Sequence, residues 1–293
     1  MREAKDGGLY DAHVSTVHSG GGDPARSMAL LWGSDRPVRS RGRQPALTIR
    51  QVTRAASEVA DADGLDALSM RRVAERLGVG TMSLYSYVPG KAELIDLMLD
   101  TIYLEASSDQ DPGASWRDRL EHVARDNWDR ARRHPWMLQI AAASRPPLGP
   151  GLVAKYEREL ETIDGLGLSD IEMDAVIALI NDYVQGAARG AVDAAGVQQA
   201  TGIDDETWWA AAAPWLSQVF DPRRYPVAAR VGAAAGEHHR AAYNPARAFE
   251  FGLQRVLDGI STLIQPPSGT DQSAGTDQSG GTDLSADTDQ PAG

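Results

Sequence analysis

The chain contains no cysteine, and no apolar run in it approaches the ~20 residues that a membrane-spanning helix needs. Without thiols it forms neither disulfides nor thiolate metal sites, and this composition fits a reducing compartment. The N-terminus also lacks the apolar core of a secretion signal. We therefore expect a cytoplasmic protein that has no membrane partner.

Positive charge is scarce in the chain as a whole and concentrated in one part of it. The net charge is −12, which is unfavourable for contact with nucleic acid. Residues 36–104 nevertheless hold ten basic and eight acidic residues, and residues 36–54 hold six arginines and no acid. A local basic stretch of this kind is typical of a segment that contacts phosphate.

Both ends of the chain are polar, rich in small residues and without helical periodicity. We expect residues 1–45 to be a disordered arm whose basic part, RPVRSRGRQP, contacts phosphate or the minor groove of DNA. Residues 265–293 repeat GTDQS with variations and contain five aspartates and no base, which predicts a disordered acidic tail. Whether translation starts at Met1 or at Met28 stays open as two alternatives.

The stretch around which the chain is organised runs from residue 68 to residue 91 and reads LSMRRVAERLGVGTMSLYSYVPGK. A small residue, Ala74, allows two helices to cross closely, and Gly78 tolerates the unusual backbone of a tight turn. Ser69 is a good N-cap for the first helix. Apolar residues at helical spacing complete the pattern of a helix-turn-helix, and no acid occurs between Leu77 and Ala92.

Helices are also predicted on both sides of this motif. The first opens at the N-cap Thr48 and closes near Gly64, and another begins after Pro89-Gly90. Residues 46–106 therefore form a compact DNA-binding domain of three to four helices. The alternative, an αα-hairpin that only packs, does not account for the acid-free second helix.

The segments GLDALSMRRVAERLGV and LYSYVPGKAEL resemble, in order and spacing, the N-terminal domain of TetR-type repressors. The resemblance implies a homodimer that binds a palindromic operator in double-stranded DNA and responds to a small-molecule effector. It also implies that Arg71 reaches a base and that Ser83, Tyr85 and Lys91 grip phosphate. The recognition helix presents the following residues to the major groove: Thr81, Met82, Ser83, Tyr85, Ser86 and Tyr87. Met82 and Ser86 depart from the Pro and Trp that are common in the tetracycline-repressor type, so no operator sequence is carried over.

Residues 112–264 are predicted to be a larger helical domain for effector binding and dimerisation, so the whole chain is expected to be all-α. A long helix from about residue 170 to 195 ends in small residues, which allows a partner helix to approach closely in a dimer. The alternative is a helix packed inside one protomer. Residues 221–244 show no clear period and are expected to form a loop.

This second domain contains six of the seven tryptophans. Aromatic and amide side chains among its helices are candidates for the wall of an apolar effector pocket with a few polar anchors, and this interpretation depends mainly on the family. The candidates are Trp116, Asn127, Trp128, Trp136, Asn181, Tyr183 and Gln185. For any single tryptophan, ordinary core packing is the alternative.

Metal and catalytic sites are not indicated. His122 and Asp126 are spaced as a surface ion pair, and the adjacent side chains of Glu237, His238 and His239 diverge. We expect no metal, no cofactor and no enzyme activity. Two rival functions stay open, a constitutive DNA-binding regulator without a small ligand and a helical enzyme fused to a DNA-binding domain.

Overall fold

The computed structural model describes residues 17–33, 47–105, 113–141 and 145–264. The acidic tail and the arginines between residues 36 and 43 lie outside this part. The described residues form eleven α-helices: α1 (Pro24–Gly33), α2 (Ile49–Asp63), α3 (Met70–Leu77), α4 (Thr81–Leu84), α5 (Lys91–Leu104), α6 (Trp116–Arg133), α7 (Pro150–Leu160), α8 (Asp170–Thr201), α9 (Asp205–Val219), α10 (Pro226–His239) and α11 (Pro245–Ile264).

The all-α prediction is confirmed, with one small addition. Two strands of two residues each, β1 (Val17–His18) and β2 (Ile140–Ala141), pair in parallel with Val17 opposite Ile140. Residues Leu65–Ala67 and Pro135–Gln139 form short 3-10 helices. In the described ranges, no helix has the length and apolar character needed to cross a membrane.

The helices of the DNA-binding domain begin and end where the sequence predicts. Thr48 caps α2 in a capping box with Gln51, and the Ser69 side chain accepts the amide of Arg72 at the start of α3. Gly78 ends α3 with φ of 67°, a left-handed conformation that favours glycine. The first hydrophobic core then forms among α2, α3, α4 and α5, with Leu84 fully buried at its centre.

The prediction that the whole N-terminal arm is disordered is wrong for residues 17–33. Helix α1 packs on α5, and Leu31 is buried in the first core. The carboxylate of Asp96 in α5 accepts bonds from the Ser19 hydroxyl at 2.7 Å, the Gly20 amide at 3.1 Å and the Ser27 hydroxyl at 3.1 Å. These tertiary contacts stabilise a segment that has almost no local helix signal of its own.

The second core lies among α6, α8 and α11. Ser169 begins α8 with a capping box to Glu172, and the left-handed Gly202 ends it at Thr201, six residues beyond the predicted end. The small residues Ala187 and Ala191 pack against this core, as the internal-packing alternative predicts. The open side of the helix is instead at Gly186, where a built Cβ would meet no atom of another part of the protein within 4 Å.

The predicted loop at residues 221–244 is also wrong, because α10 occupies most of it. Pro226 begins α10 at the first helical position, where its missing amide is tolerated. Helix α9 contains no buried residue and continues through Pro214, and in α10 only Gly236 is buried. Because α10 buries so little, its residues show no amphipathic period, and no helix was predicted there.

Candidate DNA interface and effector cavity

The recognition segment lies on the surface of the first domain. Helix α4 exposes Met82 at 81% and also Ser83, while Leu84 points into the core. The chain then turns, with Tyr85 and Ser86 exposed and the Ser86 hydroxyl donating to the Ser83 carbonyl at 2.7 Å. Thr81 is half-buried at the start of α4. A surface of hydroxyl, thioether and phenol groups without an acid suits contact with phosphate and base edges.

Two of the candidate DNA-contacting residues are held by the domain itself. Tyr87 is half-buried and packs against the first core. The Lys91 ammonium donates to the Leu65 carbonyl at 3.3 Å, across the gap between α5 and the Leu65–Ala67 turn. Their side chains therefore have less freedom to reach DNA than the residues of α4.

The arginines of α3 are exposed, but each is paired with an acid. Arg71 lies 3.2 Å from Glu75 in the same helix. Arg72 pairs with Asp63 at 2.7 Å and Arg76 pairs with Glu58 at 2.7 Å, both across to α2. Hydrogen bonding from Arg76 lowers the pKa of Glu58. Exposed pairs of this kind contribute about 0–1 kcal/mol each, so phosphate or a base can displace the carboxylate.

A cavity of about 190 Å³ lies in the second domain, bounded by α5, α6, α7, α8 and the segment around β2. Its apolar wall consists of Ala131, Met137, Leu138, Ile140, Pro146, Leu152 and Val184. Its polar wall consists of Tyr103, Asn127, Arg130, Lys155, Asn181 and Gln185. Drug-sized ligands usually occupy about 300–1,000 Å³, so a ligand of that size extends beyond this cavity or displaces part of its wall.

A buried polar network forms one side of this cavity. The Lys155 ammonium lies 2.5 Å from a Glu159 oxygen and donates to Asn181 at 3.0 Å. The Asn127 amide donates to Glu159 at 2.8 Å and to Asn181 at 3.0 Å, and Arg130 donates to the Asn127 oxygen. Burial lowers the pKa of Lys155, an effect that the adjacent Glu159 opposes.

The cavity contains three of the seven residues that we selected for effector binding, namely Asn127, Asn181 and Gln185. The prediction that Trp136 binds the effector is wrong. Trp136 is buried in the first core with 1% exposure, and its indole nitrogen donates to Asp61 at 2.7 Å. Trp128 lies outside this cavity: it stacks on Phe249 in the second core with ring centroids 4.1 Å apart and lines a separate cleft with Pro135 and Ala191.

The remaining two candidates also lie away from the cavity wall. Trp116 packs against the second core. The Tyr183 hydroxyl donates to the Phe249 carbonyl at 2.6 Å and so joins α8 to α11. Trp116, Trp136 and Tyr183 are therefore explained by ordinary packing between helices.

The sequence interpretation missed Tyr103, Arg130, Lys155 and the supporting Glu159. Lys155 and Glu159 are four residues apart on one helix, which normally indicates a solvated surface pair. Only their burial, at 9% and 3% exposure, shows that they belong to a site. Tyr103 lies at the end of α5, and burial raises its pKa to about 12.

Some residues of the cavity wall belong to the DNA-binding domain or pack against it. Tyr103 lines the cavity from α5, the last helix of the DNA-binding domain, and Ile140 lines it while packing in the first core. The Asp100 carboxylate of α5 accepts the amide of Leu152, another wall residue, at 2.9 Å. Burial raises the pKa of Asp100, and the amides of Leu152 and Gly151 counteract this.

An exposed helix-turn-helix joined through α5 to a second helical domain with an internal cavity defines the class of two-domain, helix-turn-helix regulators. Residues 52–98 match the family model of bacterial regulatory proteins of the tetR family, and residues 109–264 match the model of the tetracyclin repressor-like C-terminal domain. The chain belongs to the TetR family of transcriptional regulators.

Similar proteins agree with this assignment. The HTH-type transcriptional repressor DrrR1 of Streptomyces coeruleorubidus is 44% identical over 257 residues, which cover 87% of this chain and 92% of the relative. The structure of Streptomyces coelicolor ActR in complex with actinorhodin is 25% identical with a TM-score of 0.62, covering 75% of this chain and 98% of ActR. SCO7222, a TetR from the same organism, is 26% identical with a TM-score of 0.58, covering 75% of this chain and 100% of that protein.

Proposed function

We propose that this chain is a cytoplasmic, ligand-responsive transcriptional repressor that binds a palindromic operator as a homodimer. A small-molecule effector in the cavity releases it from DNA. The name of the repressor DrrR1 and the bound actinorhodin of ActR support this proposal by similarity. The observation that most directly supports control of DNA binding by an effector is that α5 belongs to both the DNA-binding domain and the cavity wall.

The mechanism follows from the size of the cavity and from its walls. A ligand that fills the cavity contacts Tyr103, Ile140 and Leu152, and a ligand that does not fit between them displaces them. Each of these contacts the DNA-binding domain, so the displacement reaches α5 and changes the position of α4. Two recognition helices must lie about 34–36 Å apart to occupy successive major grooves. An effector that binds the displaced state more tightly therefore weakens operator binding.

The dimer interface of the proposed repressor lies on the exposed faces of α8 and α11. Leu179, Phe251 and Leu263 are exposed there, and Phe251 is 68% exposed. Gly186 and Gly259 have no atom within 4 Å of a built Cβ, so a second helix has room to approach closely. Ala187 and Ala191 pack against the second core, so the proposed interface uses the neighbouring face of α8.

A constitutive regulator without a ligand is the second candidate, and the small cavity volume favours it. A screen of compounds by thermal shift, followed by operator release, distinguishes the two functions. We expect at least one compound to raise the melting temperature and to lower operator affinity, and operator DNA to lower the affinity for that compound by the same factor. If stabilising compounds leave operator affinity unchanged, the constitutive regulator is correct.

A further inference from the structure

Arg130 in α6 is a buried base with an incomplete set of partners. It is 4% exposed, and its only side-chain hydrogen bond within the described residues goes from Nη1 to the Asn127 side-chain oxygen. Its Nε atom is buried without a partner. Burial without an ion-pair partner is costly for a guanidinium, which keeps its charge at neutral pH.

Nearby acids do not complete this site. Among the described residues no carboxylate lies within ion-pair distance of Arg130. Asp126 and Glu159 attract its charge from a greater distance, without a hydrogen bond to it. Asp126 lies beside His122 at 3.5 Å, and Glu159 is bound by Lys155, Asn127 and Asn181. Burial lowers the pKa of Arg130, as expected when the charged form is poorly compensated.

The cavity wall beside Arg130 combines basic and apolar residues. Both charged residues in the wall, Arg130 and Lys155, are basic, and Glu159 is not part of the lining. The wall also has an apolar part, which includes Met137, Leu138 and Val184. A site of this kind favours a molecule with one negative group and an apolar body, because water-excluded cations bind anions strongly.

We propose that the effector is an apolar organic molecule with an ionised oxygen acid, such as a carboxylate, and that this group binds the free side of the Arg130 guanidinium. The inference rests on the proposed function, because it concerns the ligand of the same cavity. The anion completes the hydrogen bonding of Arg130 and neutralises its charge. The apolar body occupies the space beside Val184 and Leu138.

A pair of probes with matched shape tests the charge requirement. Binding of 2-naphthoate and of the neutral 2-naphthamide to the full chain is measured by calorimetry. The wild-type chain should bind the acid about tenfold or more tightly than the amide, since hydrogen bonds between two charged groups are stronger than those to a neutral amide. Arg130→Met should bring the two affinities within about twofold. Arg132→Met, an exposed position in the same helix, should leave the preference intact.

Thermal unfolding provides a second readout that does not depend on any ligand. Removing an uncompensated buried charge with an apolar side chain of similar length should leave the melting temperature of Arg130→Met unchanged or raise it. A large loss of stability, or failure to fold, would show that the protein already compensates Arg130, and the proposal would be wrong. Equal binding of acid and amide by the wild-type chain would also overturn it.

Failure of this inference is distinguishable from failure of the proposed function. If the acid binds through Arg130 but operator affinity stays the same, the ligand class is right and the repressor mechanism is wrong. If a neutral compound releases operator equally from the wild-type chain and from Arg130→Met, the mechanism holds and the ligand class is wrong.

Discussion

Arg71 is the clearest single candidate for reading a base. It lies in the first turn of α3 with its side chain exposed, and its partner Glu75 is 3.2 Å away on the same exposed surface. A guanidinium can bind guanine through two hydrogen bonds, and the exposed pair to Glu75 is weak enough to be exchanged for that contact.

Replacing Arg71 with alanine should therefore relax specificity at one base position in each half-site, at a cost of about 1–3 kcal/mol on the preferred sequence. Binding to a panel of single-base operator variants measures this effect. Arg54→Ala is a matched control, because Arg54 is equally exposed and also pairs with a glutamate four residues on. An equal loss for Arg71→Ala on every sequence in the panel would assign Arg71 to phosphate instead.

Gly151 marks the closest approach between α5 and α7. A Cβ built at Gly151 would overlap the Asp100 carbonyl oxygen, which is backbone and has little freedom to move. Gly151→Ala should lower the free energy of unfolding by about 1–3 kcal/mol. At Gly196 in α8 a Cβ meets no atom within 4 Å, so Gly196→Ala should raise stability by about 0.5–1 kcal/mol. Denaturant unfolding measures the free energy of unfolding of both variants. A change of the same sign and similar size in both would contradict the close contact at Gly151.

At the scale of elements, the N-terminal segment of residues 17–33 is fixed mainly through one buried carboxylate. Asp96 is 1% exposed, and within the described ranges its carboxylate accepts three hydrogen bonds, each from this segment. Strand β1 continues the contact to β2 beside the cavity, and the Trp32 indole donates to the Leu148 carbonyl at 2.9 Å. The segment therefore touches both domains.

Asp96→Ala should release this segment, because each buried donor left without an acceptor costs about 1–3 kcal/mol. We expect faster amide hydrogen exchange in α1 and lower overall stability. Asp66→Ala, an exposed acid in the same domain, should change neither quantity. If exchange in α1 is unaffected by Asp96→Ala, the helix is held by its apolar contacts alone.

The same elements show what the sequence can and cannot predict. Helices with local signals were predicted well: Thr48, Ser69 and Ser169 each cap a helix, and Gly78 ends one. Helices α1 and α10 were missed because neither carries a strong amphipathic pattern. The cavity was only partly predicted, since Lys155 and Glu159 look like a surface pair until the fold buries them, and Trp136 packs in the other domain's core.

At the scale of the whole molecule, the proposed dimer interface can be tested by one added charge. Phe251→Arg places a cation on the exposed face of α11, where burial against a partner copy would leave it unpaired. We expect monomers in analytical ultracentrifugation and loss of operator binding. Val153→Arg, an exposed position on α7, is the control and should remain dimeric. A dimeric Phe251→Arg chain with intact operator binding would place the interface elsewhere.

The most direct test of ligand-controlled DNA binding is the distance between the two DNA-binding domains of the dimer. Because the chain has no cysteine, Ala62→Cys gives one spin label per protomer at an exposed position near the end of α2. Double electron–electron resonance then measures the label-to-label distance with operator DNA and with a stabilising compound from the screen. We expect one narrow distance on the operator and a shifted distance of several ångströms when the compound is bound. The same distance in both states, with calorimetry confirming that the compound is bound, would contradict release by a change in the spacing of the recognition helices.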